Sequence, residues 1–114
     1  MNITERLVGP VMVLGLSGKI TSDHTGKLKE KVTSAFGEGH KQLVLDLSGV
    51  TYIDSSGLGE MVSCLTTATR EKGAIKLANV GGRSKDLLVL TKLIMVFSVY
   101  DTEAEAVASF AQPA

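Results

Sequence analysis

The 114-residue sequence predicts a single α/β domain covering residues 1–114, with a mixed or largely parallel sheet of four to five strands and about four helices. Three observations carry that prediction. Short apolar runs rich in Val, Leu and Ile alternate with segments whose apolar residues recur every three or four positions, as strands joined by helices do. Glycines or helix-capping residues stand between the runs. Hydrophobic residues make up 44% and charged residues 21% of the chain, the balance of a packed domain and not of a disordered tail.

In chain order, Asn2 to Leu7 reads as an edge strand beside Pro10 to Leu16, a continuous apolar run suited to burial on both faces. Ser17-Gly18 is expected to break that run, and Ser22 or Asp23 to cap a helix whose apolar face is Leu28, Val32, Ala35 and Phe36. Gly37 and Gly39 mark its exit. Gln42 to Leu47 is the clearest strand, interrupted only by Asp46 and followed by an expected Ser48-Gly49 turn. A helix beginning near Leu58 is expected to turn Leu58, Val62, Leu65 and Thr69 inward, with Glu60, Ser63 and Thr67 facing outward. Gly73 stops it, Ala74 to Ala78 follows as a strand, and the resulting strand-helix-strand unit is parallel. Ser84 can cap a short helix through Leu87, Leu88 and Leu90, and Ile94 to Val99 reads as another strand. Thr102 and Glu105 form a capping box that opens a last helix with Ala106, Val107 and Phe110 on its apolar stripe.

Composition narrows the function. Twelve Lys and Arg balance twelve Asp and Glu, with no basic block dense enough for a phosphate backbone, so nucleic acid is not the expected partner. The single cysteine, Cys64, cannot form an internal disulfide and reads as a small packed residue rather than a reactive thiol. No apolar run is long enough to cross a bilayer. The N-terminus lacks a signal-peptide layout. A cytoplasmic protein without membrane insertion is expected, as a monomer or a weak dimer that could pair through its edge strand.

The stretch Asp54-Ser55-Ser56-Gly57-Leu58-Gly59 is the candidate site. A helix N-cap needs one side-chain oxygen. Here an Asp and two Ser residues compete for that task, and two glycines weaken the first helical turn. A conflict of this kind between local rule and sequence marks functional positions. Hydrolysis by a serine nucleophile would need a base, but the only histidines, His24 and His40, read as helix-start and loop residues, and no Gly-x-Ser-x-Gly elbow is present. Gly81-Gly82-Arg83-Ser84-Lys85 lacks the spacing of a phosphate-binding loop. No metal or cofactor is expected.

The run from Leu43 to Gly59, Leu-Val-Leu-Asp-Leu-Ser-Gly-Val-Thr-Tyr-Ile-Asp-Ser-Ser-Gly-Leu-Gly, resembles the signature of the STAS family, and specifically its bacterial anti-sigma factor antagonists. The early Gly18-Lys19-Ile20 turn, the helix around Leu28 to Val32 and the Gly73 stop fall in matching order. The resemblance implies a single STAS-like domain that is not an enzyme. Its implied partners are an anti-sigma factor with serine kinase activity, which it binds when unmodified, and a serine phosphatase. It further implies phosphorylation at Ser55, which would switch binding off, with Asp23, Asp54, Ser56, Gly57, Gly59, Glu60 and Ser63 on the partner-binding surface and Ser56 as structural cap or auxiliary contact. Family members carry Asp at the end of the Gly-x-Leu/Ile-Asp turn, whereas this chain has Thr21 there and Asp23 two residues on. A STAS scaffold that docks on a transporter or signalling complex without phosphorylation is the alternative within the family, and a small serine hydrolase the remote one outside it.

Overall fold

The Val, Leu and Ile runs that favour extended backbone form five strands in a computed structural model that describes residues 1–21 and 26–111, the side chains of Arg83, Ser84 and Ile94 excepted. The strands are β1 (Asn2–Val8), β2 (Val11–Ile20), β3 (Gln42–Ile53), β4 (Ala74–Ala78) and β5 (Ser98–Tyr100), and they lie in the sheet in that same order. β1 runs antiparallel to β2 through a two-residue loop opened by Gly9 at φ +60°, and the remaining pairs are parallel. The helices are α1 (Lys27–Gly37), α2 (Ser55–Arg70), α3 (Gly82–Leu90) and α4 (Glu103–Ser109).

Each parallel step moves to the next strand in the same direction, and right-handed crossovers of that kind put their helices on one face. Accordingly Leu28 of α1, Met61 of α2 and Leu88 of α3 share a core with Leu14, Leu43 and Leu45 of the sheet. The alternate residues Val11, Val13, Val44 and Ala78 face the other way and pack against Ala106 of α4. A hydrogen bond from Lys76 Nζ to Ser109 Oγ at 2.7 Å, with the ammonium 4.2 Å from the Phe110 ring, fastens α4 to β4. Arg6 and Glu103 pair across β1 and the start of α4.

Four expectations need correction. Ser17-Gly18 and Ser48-Gly49 do not end their strands. Between the pairs Gly15↔Asp46 and Ser17↔Gly49, β3 advances one residue more than β2, and it does so again before Lys19↔Tyr52. The polar residues sit in these bulges, where Asp46 Oδ1 accepts the Ser48 N–H at 2.9 Å and the Asn79 side-chain N–H at 3.1 Å. The fifth strand is Ser98–Tyr100, shorter and later than Ile94 to Val99, because Leu93–Met95 winds into a 3₁₀ turn after the left-handed Lys92. Helix α3 starts at Gly81 and not on a Ser84 cap. Helix α1 starts on Gly26 at φ +89° with no side-chain cap of its own, the expected capping residues Ser22 and Asp23 lying outside the described residues.

Candidate functional site

Parallel strands β2 and β3 end side by side at the pair Ile20↔Ile53, and the carboxyl edge of a parallel sheet is where α/β domains place their sites. Asp54 follows at once. Its backbone N–H donates to the Ile20 carbonyl at 3.2 Å, its extended φ of −95° and ψ of −178° make it the N-cap of α2, and its Oδ1 accepts the Gly57 N–H at 2.8 Å. The carboxylate therefore caps α2, so of the two roles expected for Ser56, structural cap or auxiliary contact, the cap falls to Asp54 instead. A short acidic side chain in extended backbone both satisfies an orphan donor and matches the helix dipole.

With the cap supplied by Asp54, Ser55 and Ser56 occupy the first two helical positions with both side chains exposed, and among the described residues neither hydroxyl has a hydrogen-bond partner. The two glycines divide the remaining work. A Cβ on Gly57 would lie 2.0 Å from the Ile20 carbonyl oxygen, so Gly57 lets the helix start rest against the end of β2. Gly59 is exposed and a Cβ there meets nothing within 4 Å among the described residues. Gly57 is thus buried packing rather than partner-facing backbone, and only Gly59 leaves open space at the surface.

Helix α2 is rotated from the expected face. Gly57, Leu58, Glu60, Met61, Cys64, Thr67 and Ala68 are buried, while Val62 and Leu65 are half-buried and Thr69 is exposed. The helix lies against α1 as well as the sheet, so two walls cover it and its inward stripe is wider than one face of the sheet requires. Glu60, expected to point outward, is only 8% exposed and its Oε1 accepts the Lys29 backbone N–H of α1 at 3.1 Å. Thr67, also expected outward, is buried with its hydroxyl donating to the Ser63 carbonyl. Burial, followed by the Glu60 carboxylate and opposed by the Lys29 ammonium, pushes the Cys64 thiol up to about 12, which leaves it un-ionised and unreactive near neutral pH.

Among the expected site residues the structure therefore gathers Asp54, Ser55, Ser56, Gly57 and Gly59 at the N-terminal end of α2. Ser63 is half-buried, about 12 Å further along the axis from Ser55. Glu60 sits in the seam between α1 and α2, and Asp23 lies outside the described residues. Sequence reasoning missed the Ile20 carbonyl and the Lys29 amide, which are backbone groups with no side-chain signal. The rotated face did have one in the spacing of Gly57, Met61, Cys64 and Ala68, a stripe of small and apolar residues at helical intervals. His40 lies beyond the end of α1, its Nε2 3.9 Å from Glu38, and forms no hydrogen bond to either serine.

Comparison with known proteins places this geometry. A Thermotoga maritima protein provisionally named as an anti-sigma factor antagonist is 28% identical over 102 residues, covering 89% of this chain and 90% of its own length. A 1.59 Å crystal structure of a Thermotoga maritima protein under the same provisional description superposes with a TM-score of 0.89 at 25% identity, over 96% of this chain and 95% of that one. The phosphorylated form of SpoIIAA, a Bacillus cell fate determinant, shares the fold with a TM-score of 0.73 at 18% identity, over 96% of this chain and 99% of that one. The STAS domain model matches residues 2–106, nearly all of the sheet and helices described above, and the chain belongs to the STAS domain family.

Proposed function

We propose that this protein is an anti-sigma factor antagonist that works as a binding switch and performs no catalysis itself. Unmodified, the surface around Ser55, with Ser56, Gly59 and, further along α2, Ser63, binds an anti-sigma factor that is also a serine kinase, and the sigma factor is released. Phosphorylation of Ser55 ends that binding, and a serine phosphatase restores it. The observation that carries the reading is the surplus at the start of α2: Asp54 alone caps the helix, and an exposed Ser55 hydroxyl stands beside it without a partner among the described residues.

The chemistry fits a switch that leaves the fold intact. A phosphate adds about −1.5 to −2 charges. The Ser55 and Ser56 backbone N–H groups at the helix start have no carbonyl within α2 to pair with, and the positive end of the dipole favours an anion there. The nearby Asp54 carboxylate and any acidic partner surface are repelled. Similarity in fold to a protein solved in a phosphorylated form agrees with this.

The test is incubation with a purified anti-sigma factor kinase from the same genome and ATP, followed by intact mass and calorimetric titration. One phosphate, lost in Ser55→Ala, is expected; Ser55→Asp is expected to bind the kinase at least tenfold more weakly than Ser55→Ala. Equal binding by both variants would sink the switch. A second reading, a STAS scaffold docking on a transporter or signalling complex without modification, draws on Thr21, which directly follows the Ile20 that receives Asp54. It predicts that no phosphate is taken up.

A further inference from the structure

Among the described residues, helix α1 begins without a cap of its own. Gly26 offers no side chain, and in the first turn Glu30 is the acid set against the cations of Lys27 and Lys29, which the dipole disfavours at that end of the helix. Among the described residues a side-chain acceptor for this turn comes from another helix: Glu60 Oε1 of α2 receives the Lys29 N–H at 3.1 Å, a charge-assisted bond in a place where Glu60 is almost fully buried. A carboxylate is rarely buried without a reason, and here it supplies the acceptor for an orphan donor and adds a buried negative charge to that of the exposed Glu30 in the first turn of α1. The placement is consistent with the Cys64 thiol, which senses the Glu60 carboxylate and the Lys29 ammonium together. Glu60 stands one and a half turns beyond Ser55 on the same helix, and Gly57 between them is seated on the end of β2.

We propose that Glu60 is the positioning residue of the switch surface: by capping α1 from α2 it locks the exposed first turn of α1 in register with the turn that carries Ser55, so that a partner meets the two helix starts as one face. The functional half of this inference rests on the Ser55 reading. The structural half does not.

Three proteins separate the possibilities: wild type, Glu60→Gln, which keeps an acceptor oxygen, and Glu60→Leu, which keeps the volume and helix propensity but has none. Amide hydrogen exchange at Lys29 is expected to be about tenfold faster in Glu60→Leu and near wild type in Glu60→Gln. The initial rate of Ser55 phosphorylation by the anti-sigma factor kinase, read by intact mass, is expected to fall about tenfold in Glu60→Leu and to recover in Glu60→Gln. A residue that merely fills the seam would leave Glu60→Leu like wild type in both measurements, which overturns the proposal. Faster Lys29 exchange with an unchanged phosphorylation rate overturns the positioning role and leaves Glu60 a structural cap. A wild-type protein that takes no phosphate refutes the Ser55 reading and with it the functional half, while the exchange experiment still decides the cap.

Discussion

Helices α2 and α4 both begin on an extended residue whose side-chain oxygen accepts the N–H three positions on, Asp54 from Gly57 at 2.8 Å and Thr102 from Glu105 at 3.1 Å. Around Thr102 the neighbours have structural work: Glu103 pairs with Arg6 on β1, and Ala106 fills the core under the sheet. Around Asp54 the neighbours divide. Gly57 and Glu60 are consumed by contacts with β2 and α1, whereas Ser55, Ser56 and Gly59 contribute exposed surface and no side-chain hydrogen bond among the described residues. The same local device thus starts one helix for the fold and another with polar groups to spare. That surplus, and not the presence of a serine at a helix start, is what distinguishes a candidate site from a cap.

The largest test of the comparison lies at Gly57. If it is packing, Gly57→Ala drives a Cβ into the Ile20 carbonyl, and denaturant unfolding should show a loss of about 3 kcal/mol, the upper end of ordinary overpacking. Full stability in Gly57→Ala would mean that α2 does not rest on β2 as described.

The second test uses what α2 buries and α4 does not. Cys64 has its thiol raised to about 12 in the fold from an ordinary value near 9. The native state then holds the proton more tightly than the unfolded chain, so this contribution is complete below pH 9 and is lost as pH rises from 9 towards 12, by up to about 1.4 kcal/mol per pH unit. Wild type should therefore lose stability faster than Cys64→Ala between pH 9 and 10.5, measured by urea midpoints. Parallel curves would show the thiol to be solvated.

The two caps come next. Asp54→Ala and Thr102→Ala should each cost about 1 kcal/mol, with the Asp54 variant losing somewhat more because its carboxylate also meets the dipole. The distinguishing readout is binding. On the proposed function, Asp54→Ala should alter affinity for the proposed anti-sigma factor partner by titration, and Thr102→Ala should leave it unchanged, since α4 packs on the opposite face of the sheet.

The succession of strands and helices along the chain and the start of the site are legible because both rest on local signals. Val44 and Leu45 can only be buried strand, and Asp54 to Gly59 breaks helix-start economy within six residues. The Ser48-Gly49 turn was misread because a bulge has the composition of a turn and differs only in what the neighbouring strand does, here the register of β2. Glu60 was misassigned for a related reason. A carboxylate reads as outward until the partner that satisfies it is known, and that partner, the Lys29 N–H, lies 31 positions earlier and is a backbone group. Hydrophobic periodicity names the face of a helix on one wall. It does not reveal a second wall, and α2 has two.

The smallest effects are the sharpest for the central claim. Gly59→Ala adds a methyl to open space in a helix interior and should raise stability by about 0.5–1 kcal/mol. Ser55→Ala and Ser56→Ala remove hydroxyls that bond nothing among the described residues and should fall within about 0.5 kcal/mol of wild type in chemical denaturation. Near-neutrality is what spare polar groups predict, because a hydroxyl satisfying a helix donor cannot be removed without the cost seen for a cap. A loss of about 1 kcal/mol in Ser56→Ala alone would return that residue to the fold as a second cap. A comparable loss in Ser55→Ala would do the same to the proposed switch serine, and the distinction between the starts of α2 and α4 would disappear.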